Sequence, residues 1–519
     1  MPGLAQKARL SYPEGMDSIF FDTPPAPPER FNMAAHVLAR AGDRPDRTAL
    51  AIVSPMGAAR WRYGALAQAV EGIAAGLLAS GLGPGDRLLM RLGNEVEFPL
   101  TYLAAIWAGI LPIPASAALS VPEITRIAAE TRPAAIVAAP DVSLPDGYDG
   151  WVIPALALRE METTPPVAPA MGDPDRPAYI IYTSGTSGQP RGVVHAHRAV
   201  WARQMMWQGW YGLTPDDRLL HAGAFNWAYT LGTGLMDPWA IGATALIPAE
   251  GVTSDQIPLL LKRYDATIFA AAPGVYRQIL ERCEMPDLPR LRHGLSAGEK
   301  MSARIRAAWQ AATGTEVHEA LGMTECSTYL SGSPDRPAPF GSIGFPQAGR
   351  RIAVLAPDGE AVPRGTPGTL GIHASDPGLM LGYLDAPEET AERYLGEWFL
   401  TGDTVRMDED GALAYLGRAD DMMNAGGYRV SPLEVEAVLN THPGIAESAC
   451  AEVEVKADTT VIAAFYTGPE PLPAAELAGF AAERLAHYKC PRIFVHLAAL
   501  PRSGNGKIDR KSLRRQPLT

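Results

Sequence analysis

Tyr182-Thr183-Ser184-Gly185-Thr186-Ser187-Gly188-Gln189-Pro190-Arg191-Gly192 is the stretch on which the reading of this chain turns. It follows an apolar run, Ala178 to Tyr182, with the length and β-branched content of a buried strand. Three glycines let backbone N–H groups approach a bound group closely, threonine and serine supply four hydroxyls, and Arg191 adds a fixed cation with a forked donor face. Those are the parts of a phosphate cradle. A flexible glycine-serine linker has a similar composition, but a linker has no reason to sit directly behind a buried strand or to close on Pro-Arg-Gly. The Walker pattern G-x-x-x-x-G-K-[ST] is absent, so an ordinary P-loop kinase or motor ATPase loses support.

The strand-then-loop rhythm continues on both sides. Helix-like segments such as Ala65 to Leu78 alternate with short apolar runs at Arg87 to Arg91, Ala134 to Ala138, Thr267 to Ala271 and Leu291 to Ser296. Each run closes in a turn containing Gly, Ser or Pro. Such alternation predicts α/β layers, with ligands beyond the carboxyl ends of the strands. The polar run Gly417-Arg418-Ala419-Asp420-Asp421 follows a predicted strand at Leu413 to Leu416 and marks a boundary. The expected division is 1–418 and 419–519, the second part long enough to fold by itself. Within it, Pro432 to Leu439 reads as a helix with Ser431 at the cap, Pro at the first position and Glu434 three residues beyond the cap.

Composition narrows the class. With 519 residues, 47% of them apolar and 20% charged, the chain has the make-up of a folded protein too large for one core. Against 57 acidic side chains stand 45 basic ones, and the resulting formal charge of −12 repels nucleic-acid phosphates. Cys283, Cys326, Cys450 and Cys490 are scattered without a C-x-x-C pair, so neither a zinc site nor a disulfide framework is expected and a reducing cytoplasm fits. Ser11, Pro13, Glu14 and Asp17 interrupt any apolar core of a secretion signal. Tyr102 to Leu119 is the most membrane-like stretch, but Pro112 and Pro114 break it, and a buried helix followed by a core strand is the better reading. No membrane insertion and no nucleic-acid partner are expected.

Together with motifs further along, the loop resembles the phosphate loop of the adenylate-forming superfamily, which includes acyl-CoA synthetases, aryl-CoA ligases, luciferases and peptide-synthetase adenylation domains. There the loop typically ends Pro-Lys-Gly; here Arg191 keeps the charge in a different shape. The resemblance implies that Thr183, Ser184, Gly185, Thr186, Ser187, Gly188 and Arg191 hold the phosphates of ATP. Ser296-Ala297-Gly298-Glu299 and Glu319-Ala320-Leu321-Gly322 look like the two segments that sandwich adenine in that family, with Leu321 where an aromatic ring usually stacks. Gly322-Met323-Thr324-Glu325 looks like its Gly-Met-Thr-Glu motif, which implies Thr324 at the α-phosphate and Glu325, with Thr183, on a magnesium ion. One carboxylate plus phosphate and water oxygens is an ordinary magnesium arrangement. Trp398-Phe399-Leu400-Thr401-Gly402-Asp403 resembles the motif whose Asp accepts hydrogen bonds from ribose hydroxyls, and Arg418 is implied to reach the nucleotide too. Read alone, Asp403 and Arg418 are equally an ordinary ion pair.

Leu500-Pro501-Arg502-Ser503-Gly504-Asn505-Gly506-Lys507-Ile508-Asp509-Arg510 is similar to the loop that presents the family's catalytic lysine, which implies that role for Lys507. A carboxylate attacking an α-phosphorus brings two anions together, and an ammonium between them lowers the barrier electrostatically. Without the resemblance, Arg502, Arg510, Lys511, Arg514 and Arg515 read as a basic tail. The implied fold is α/β, with a large N-terminal domain of layered α/β subdomains and a small mobile C-terminal α+β domain. That domain is implied to turn about Asp420 and bring Gly426, Gly427 and Tyr428 to the pantetheine arm of coenzyme A. Read alone, the two glycines make a β-turn.

Asn226-Trp227-Ala228-Tyr229-Thr230-Leu231-Gly232 looks closest to benzoate-type and medium-chain acyl-CoA ligases. It implies an acyl pocket formed by Trp227, Ala228, Tyr229, Ala297 and Gly322, and an aryl or short- to medium-chain acid; plain core is the other reading of the aromatic pair. His195 and His197 read as structural imidazoles. The implied activity is ATP-dependent carboxylic acid:CoA ligation through an acyl-adenylate, using ATP, Mg2+ and coenzyme A. A homodimer stays open. So do an adenylation enzyme that loads a carrier protein and a non-catalytic nucleotide-binding regulator, although the latter has no use for both Lys507 and Glu325.

Overall fold

The computed structural model describes residues 17–183, 191–419, 421–425, 428–456, 459–485, 487–503 and 506–516. The largest sheet has nine strands, six of them parallel in the spatial order Thr48–Val53, Thr244–Pro248, Arg218–His221, Ile268–Ala271, His293–Ala297 and Val317–Met323. The inner strands are short apolar runs, because a parallel sheet is covered on both faces; all four residues of Ile268–Ala271 are buried. Antiparallel strands close both edges.

A second sheet holds four parallel strands, with Leu111–Pro114 at its edge and Arg87–Arg91, Ala135–Ala138 and Trp151–Pro154 beyond it. The membrane-like stretch resolves here. Helix Glu97–Ala108 is buried nearly throughout and ends at the left-handed Gly109. The strand that follows lies at an edge, where the missing N–H groups of Pro112 and Pro114 are tolerated. Among the described residues no helix is long and apolar enough to cross a membrane.

A third, antiparallel sheet is built around Trp398–Met407, whose buried and part-exposed positions alternate with the strand period. Its partner Leu413–Arg418 brings Arg418 opposite Asp403. A smaller sheet pairs Pro177–Thr183 with Arg191–Ala196, so Thr183 and Arg191 are register partners at the mouth of the phosphate loop. Ser184, Gly185, Thr186, Ser187 and Gly188 lie outside the described residues.

The C-terminal lobe is a sheet of Glu447–Lys456, Thr459–Thr467 and Ile493–His496 with helices Pro432–Leu439 and Ala474–Ala482. Period-two alternation splits its core: Cys450, Ile462 and Ala464 pack with those helices, while Ala449, Ala451, Val453, Ala463 and Phe465 pack with Leu500 and Leu513. Ser431 takes the N-cap position of helix Pro432–Leu439 with Pro432 at the first position, as expected, but its hydroxyl makes no cap hydrogen bond; it donates to the Leu416 carbonyl, and Glu434 pairs with Lys489. Leu416 lies where the pairing of its strand slips by one residue, and a serine hydroxyl readily takes such a nearby backbone group. The tail is also no free basic run, since Arg510 holds Glu436 at 2.6 Å, Arg502 holds Glu447 at 2.5 Å and Arg514 holds Asp421 at 3.3 Å.

Candidate active site

Three adjacent parallel strands end at one place. Ile268–Ala271 leads into helix Pro273–Arg282, which supplies Pro273 and Arg277, His293–Ala297 into Gly298 and Glu299, and Val317–Met323 into Thr324 and Glu325, and all of these residues line a cavity of about 1320 Å³. Crevices beyond strand carboxyl ends are where such sheets take ligands. Thr183, Arg191, Leu321, Gly322, Met323, Asp403 and Arg418 line the same cavity from the large lobe, and Arg502, Lys507 and Arg510 from the small one. Both lobes therefore build a single site.

The Thr324-Glu325 turn is held from behind. The Tyr383 hydroxyl donates to Glu325 Oε1 at 2.8 Å, which fixes the carboxylate. His195 donates through Nε2 to the Thr324 carbonyl at 2.7 Å and stacks on Tyr179 at 4.9 Å. Burial pushes the His195 pKa down to about 4, so the ring is neutral and supports the turn. His197 accepts from the Met33 N–H at 3.0 Å, and burial lowers it to about 3. Both histidines are structural. Just past the turn, Ser327 has φ +66°, and its hydroxyl is gripped by Arg203, which is itself paired with buried Asp237 at 2.6 Å. A non-glycine residue held there stores strain beside the site.

Among the described residues no cluster of three or more His, Cys, Asp or Glu is placed to hold a metal ion. Glu325 and Thr183 offer a carboxylate and a hydroxyl to the cavity, which fits a magnesium ion that takes most of its oxygens from bound phosphate and water.

Asp403 is only 5% exposed and faces Arg418 at 3.3 Å. Burial raises its pKa, while the Arg418 guanidinium and, more weakly, the Lys507 charge pull it down. Glu299 is raised by burial too, with Arg502 and Lys507 opposing. Lys507 thus sits within electrostatic range of both carboxylates. Its loop is tied down by Arg502, which donates to the Gly506 carbonyl at 2.6 Å, pairs with Glu447 and reaches Glu299 at 3.8 Å. Glu447 also pairs with Arg277 of the large lobe at 2.6 Å. Arg191, which stands where the resembling family usually has Lys, is paired with Glu389 at 2.6 Å.

Not every expected residue faces this cavity. Glu319 points to helix Ala303–Thr313, pairing with Arg306 at 2.7 Å and accepting from the Met301 N–H at 2.8 Å. The pleat explains this: its register partner Ser296 and Glu319 share one sheet face, and Ala297 and Ala320 the other. Ala297 and Ala320 pack instead in an aromatic cluster with Trp210 and Tyr229, against which Trp227 also lies. Trp227, Ala228 and Tyr229 are behind the open cavity rather than on its lining. The two spaces meet at Gly298, whose φ is +98° and where an added Cβ would stand 3.1 Å from the Trp227 ring. Asp420, Gly426 and Gly427 lie outside the described residues, and of Tyr428 only its place in strand Tyr428–Val430 is described. Tyr383, Arg277, Arg502 and Glu447 escaped sequence reasoning; a lone tyrosine and charges separated in sequence carry no local signal.

Fold and cavity together define a two-lobed α/β protein with one large cavity at the ends of parallel strands, lined from the small lobe by Arg502, Lys507 and Arg510. The family description AMP-binding enzyme matches residues 37–384, and AMP-binding enzyme C-terminal domain matches 434–507. The chain belongs to the AMP-binding enzyme family. It is similar to a benzoate–CoA ligase of Thauera aromatica, 30% identical over 95% of this chain and 98% of the relative. It is likewise 30% identical to a mitochondrial acyl-coenzyme A synthetase of Homo sapiens, over 94% of this chain and 91% of the relative. Among solved structures, a benzoate CoA ligase from Burkholderia xenovorans LB400 superposes with a TM-score of 0.83 at 29% identity, covering 93% of this chain and all of that one.

Proposed function

We propose that the chain is an ATP-dependent carboxylic acid:CoA ligase. It forms an acyl-adenylate with release of pyrophosphate, then an acyl-CoA thioester with release of AMP. The observation that carries this reading is the placing of Lys507, on the small lobe, in one cavity with Thr324, Glu325, Asp403 and Arg418 of the large lobe.

In this reading the triphosphate lies along residues 183–191, Asp403 accepts from the ribose hydroxyls, and the adenine lies against Gly298, Glu299 and Leu321. Thr324 holds the α-phosphate. Glu325 and Thr183 would hold a magnesium ion, which would supply positive charge to the phosphate oxygens. The acid's carboxylate oxygen attacks the α-phosphorus as the bond to pyrophosphate breaks, and no proton need move. Lys507 lies between the two anions, a placement of charge where it builds up. In the second step the thiol sulfur attacks the acyl carbon, AMP leaves with the electron pair of the broken C–O bond, and the thiol proton passes to solvent.

Lys507 stands where the thiol must arrive, so the small domain has to withdraw between the steps. We place the division at 418/419 and the hinge at Asp420, with Gly426, Gly427 and Tyr428 meeting the pantetheine arm. The Trp227, Tyr229, Ala297 and Gly322 region is the acyl pocket, and its aromatic walls, with the benzoate-acting relatives, favour an aryl acid. Scattered cysteines without a C-x-x-C pair favour a cytoplasmic enzyme. Purified protein given MgATP and a panel of benzoates, cinnamates and C2 to C10 acids should release pyrophosphate with the acid alone and AMP only when CoA is added. Pyrophosphate release indifferent to every acid would defeat the proposal.

A further inference from the structure

At the edge of the aromatic cluster stand two buried polar groups that the reaction above does not use. Strands Arg218–His221, Ile268–Ala271 and His293–Ala297 turn Leu219, Ile268, Ala270, Leu295 and Ala297 toward Trp210 and Tyr229. His221 lies two residues beyond Leu219 and so shares that face, at the carboxyl end of its strand. It is fully buried, and neither ring nitrogen has a hydrogen-bond partner. Thr230, fully buried on the helical segment that follows Tyr229, also has an unpartnered hydroxyl.

Both groups pack against Gly223. A Cβ built on Gly223 would lie 2.2 Å from Thr230 Oγ1 and 3.1 Å from His221 Nδ1, yet the two side chains do not bond each other. The imidazole meets the Tyr229 ring edge to face at 4.4 Å and Trp227 at 6.4 Å. Behind it, a Cβ on Gly234 would stand 2.9 Å from His221 Cβ. Two glycines therefore leave room for a ring whose polar atoms lack partners, where a leucine would fill the place with no desolvation cost.

We propose that His221 and Thr230 form a polar pole of the acyl pocket that receives a hydroxyl group carried by the acid at the end remote from its carboxylate. The inference rests on the reading of Trp227 and Tyr229 as pocket walls. Burial holds the imidazole neutral, its pKa pushed down to about 3, so it presents one N–H and one lone pair. That set complements a hydroxyl, which both donates and accepts. A second carboxylate is disfavoured there, because Arg203, which packs against Gly232, is committed to Asp237.

The test is acid-dependent pyrophosphate release by the full chain, with 3- and 4-hydroxybenzoate set against the methylbenzoates of similar size. A site with unpaired polar groups rejects an analogue lacking the hydroxyl more strongly than an apolar pocket rejects an added one. The hydroxy acid should therefore win by at least about tenfold in kcat/KM. His221→Leu and Thr230→Val should each bring that ratio to one or below, and His221→Asn should keep part of it. Wild-type protein that prefers the methyl acids, or variants that retain the hydroxyl preference, would overturn the proposal and leave the ligase reading standing. Silence toward every acid would instead sink the ligase reading itself, and this inference with it.

Discussion

The two halves of the cavity are built by different physics. The large lobe contributes paired strand ends and the turns after them, with the Thr324 carbonyl held by His195 and the Glu325 carboxylate by Tyr383 from behind. The small lobe contributes a loop held by ion pairs, with Arg502 spanning Glu447, Glu299 and the Gly506 carbonyl. Side chains in that network are about a quarter exposed, as with 25% for Glu447 and 24% for Arg502, where pairs are weak and screened by salt. A ladder of backbone hydrogen bonds does not let go during a reaction cycle. A few part-exposed ion pairs can, and the proposed cycle, in which the small lobe places an amine and then withdraws it, calls for contacts of that kind.

The comparison can be broken by changes on each side. The largest effect is expected for Glu325→Gln, which removes the cavity carboxylate and should cut acid-dependent pyrophosphate release about 10²- to 10³-fold, read by single-turnover kinetics. Tyr383→Phe keeps that carboxylate but frees it, and losing a hydrogen bond to a charged group predicts a fall of about 10- to 100-fold. Arg502→Gln should slow adenylate formation about tenfold through misplacement of Lys507 while conversion of supplied acyl-adenylate keeps its rate, with Arg502→Lys intermediate. Equal loss in both half-reactions would mean that Arg502 only stabilises the fold.

The smallest and broadest effect concerns acid. Burial pushes His36, His195 and His293 to about 4 and His197, His221 and His318 to about 3, and all six lie in the large lobe. Above about 6.5, the ordinary value of a solvated histidine, these imidazoles are neutral both folded and unfolded. Below it the unfolded chain takes up protons that the folded chain refuses, so stability falls as pH drops from about 6.5 toward 4. The raised Glu299 and Asp403 carboxyls act in the opposite sense, their contribution being lost as pH rises through their folded values. Amide exchange at pH 5 against pH 7 should show strands Arg218–His221 and His293–Ala297 losing protection before Glu447–Lys456. Uniform loss across both lobes would contradict this.

The phosphate loop could be read from its residue types alone, because glycines, hydroxyls and a cation stand together behind a strand. Gly298, Thr324, Glu325 and Asp403 were implied only by the resemblance of short local motifs, and the structure places them with Thr183 on the lining of one cavity. Glu319 was misplaced because a single step along a strand reverses the face, and no motif states which face is which. Ser431 had the pattern of a cap, but a carbonyl fifteen residues upstream took its hydroxyl. Glu447 meets Arg277 across 170 positions, and nothing near either residue announces the other. His221 was silent for a related reason: an imidazole left without partners is a property of everything packed around it.

The central claim is that Lys507 serves the first half-reaction and has to leave before the second. The direct test measures both in Lys507→Ala, following pyrophosphate exchange with MgATP and acid, and thioester formation from supplied acyl-adenylate and CoA. The account predicts that exchange falls by about 10²-fold or more while thioester formation stays within a few-fold of wild type. Exchange that survives the substitution, or a loss shared equally by both steps, would contradict it.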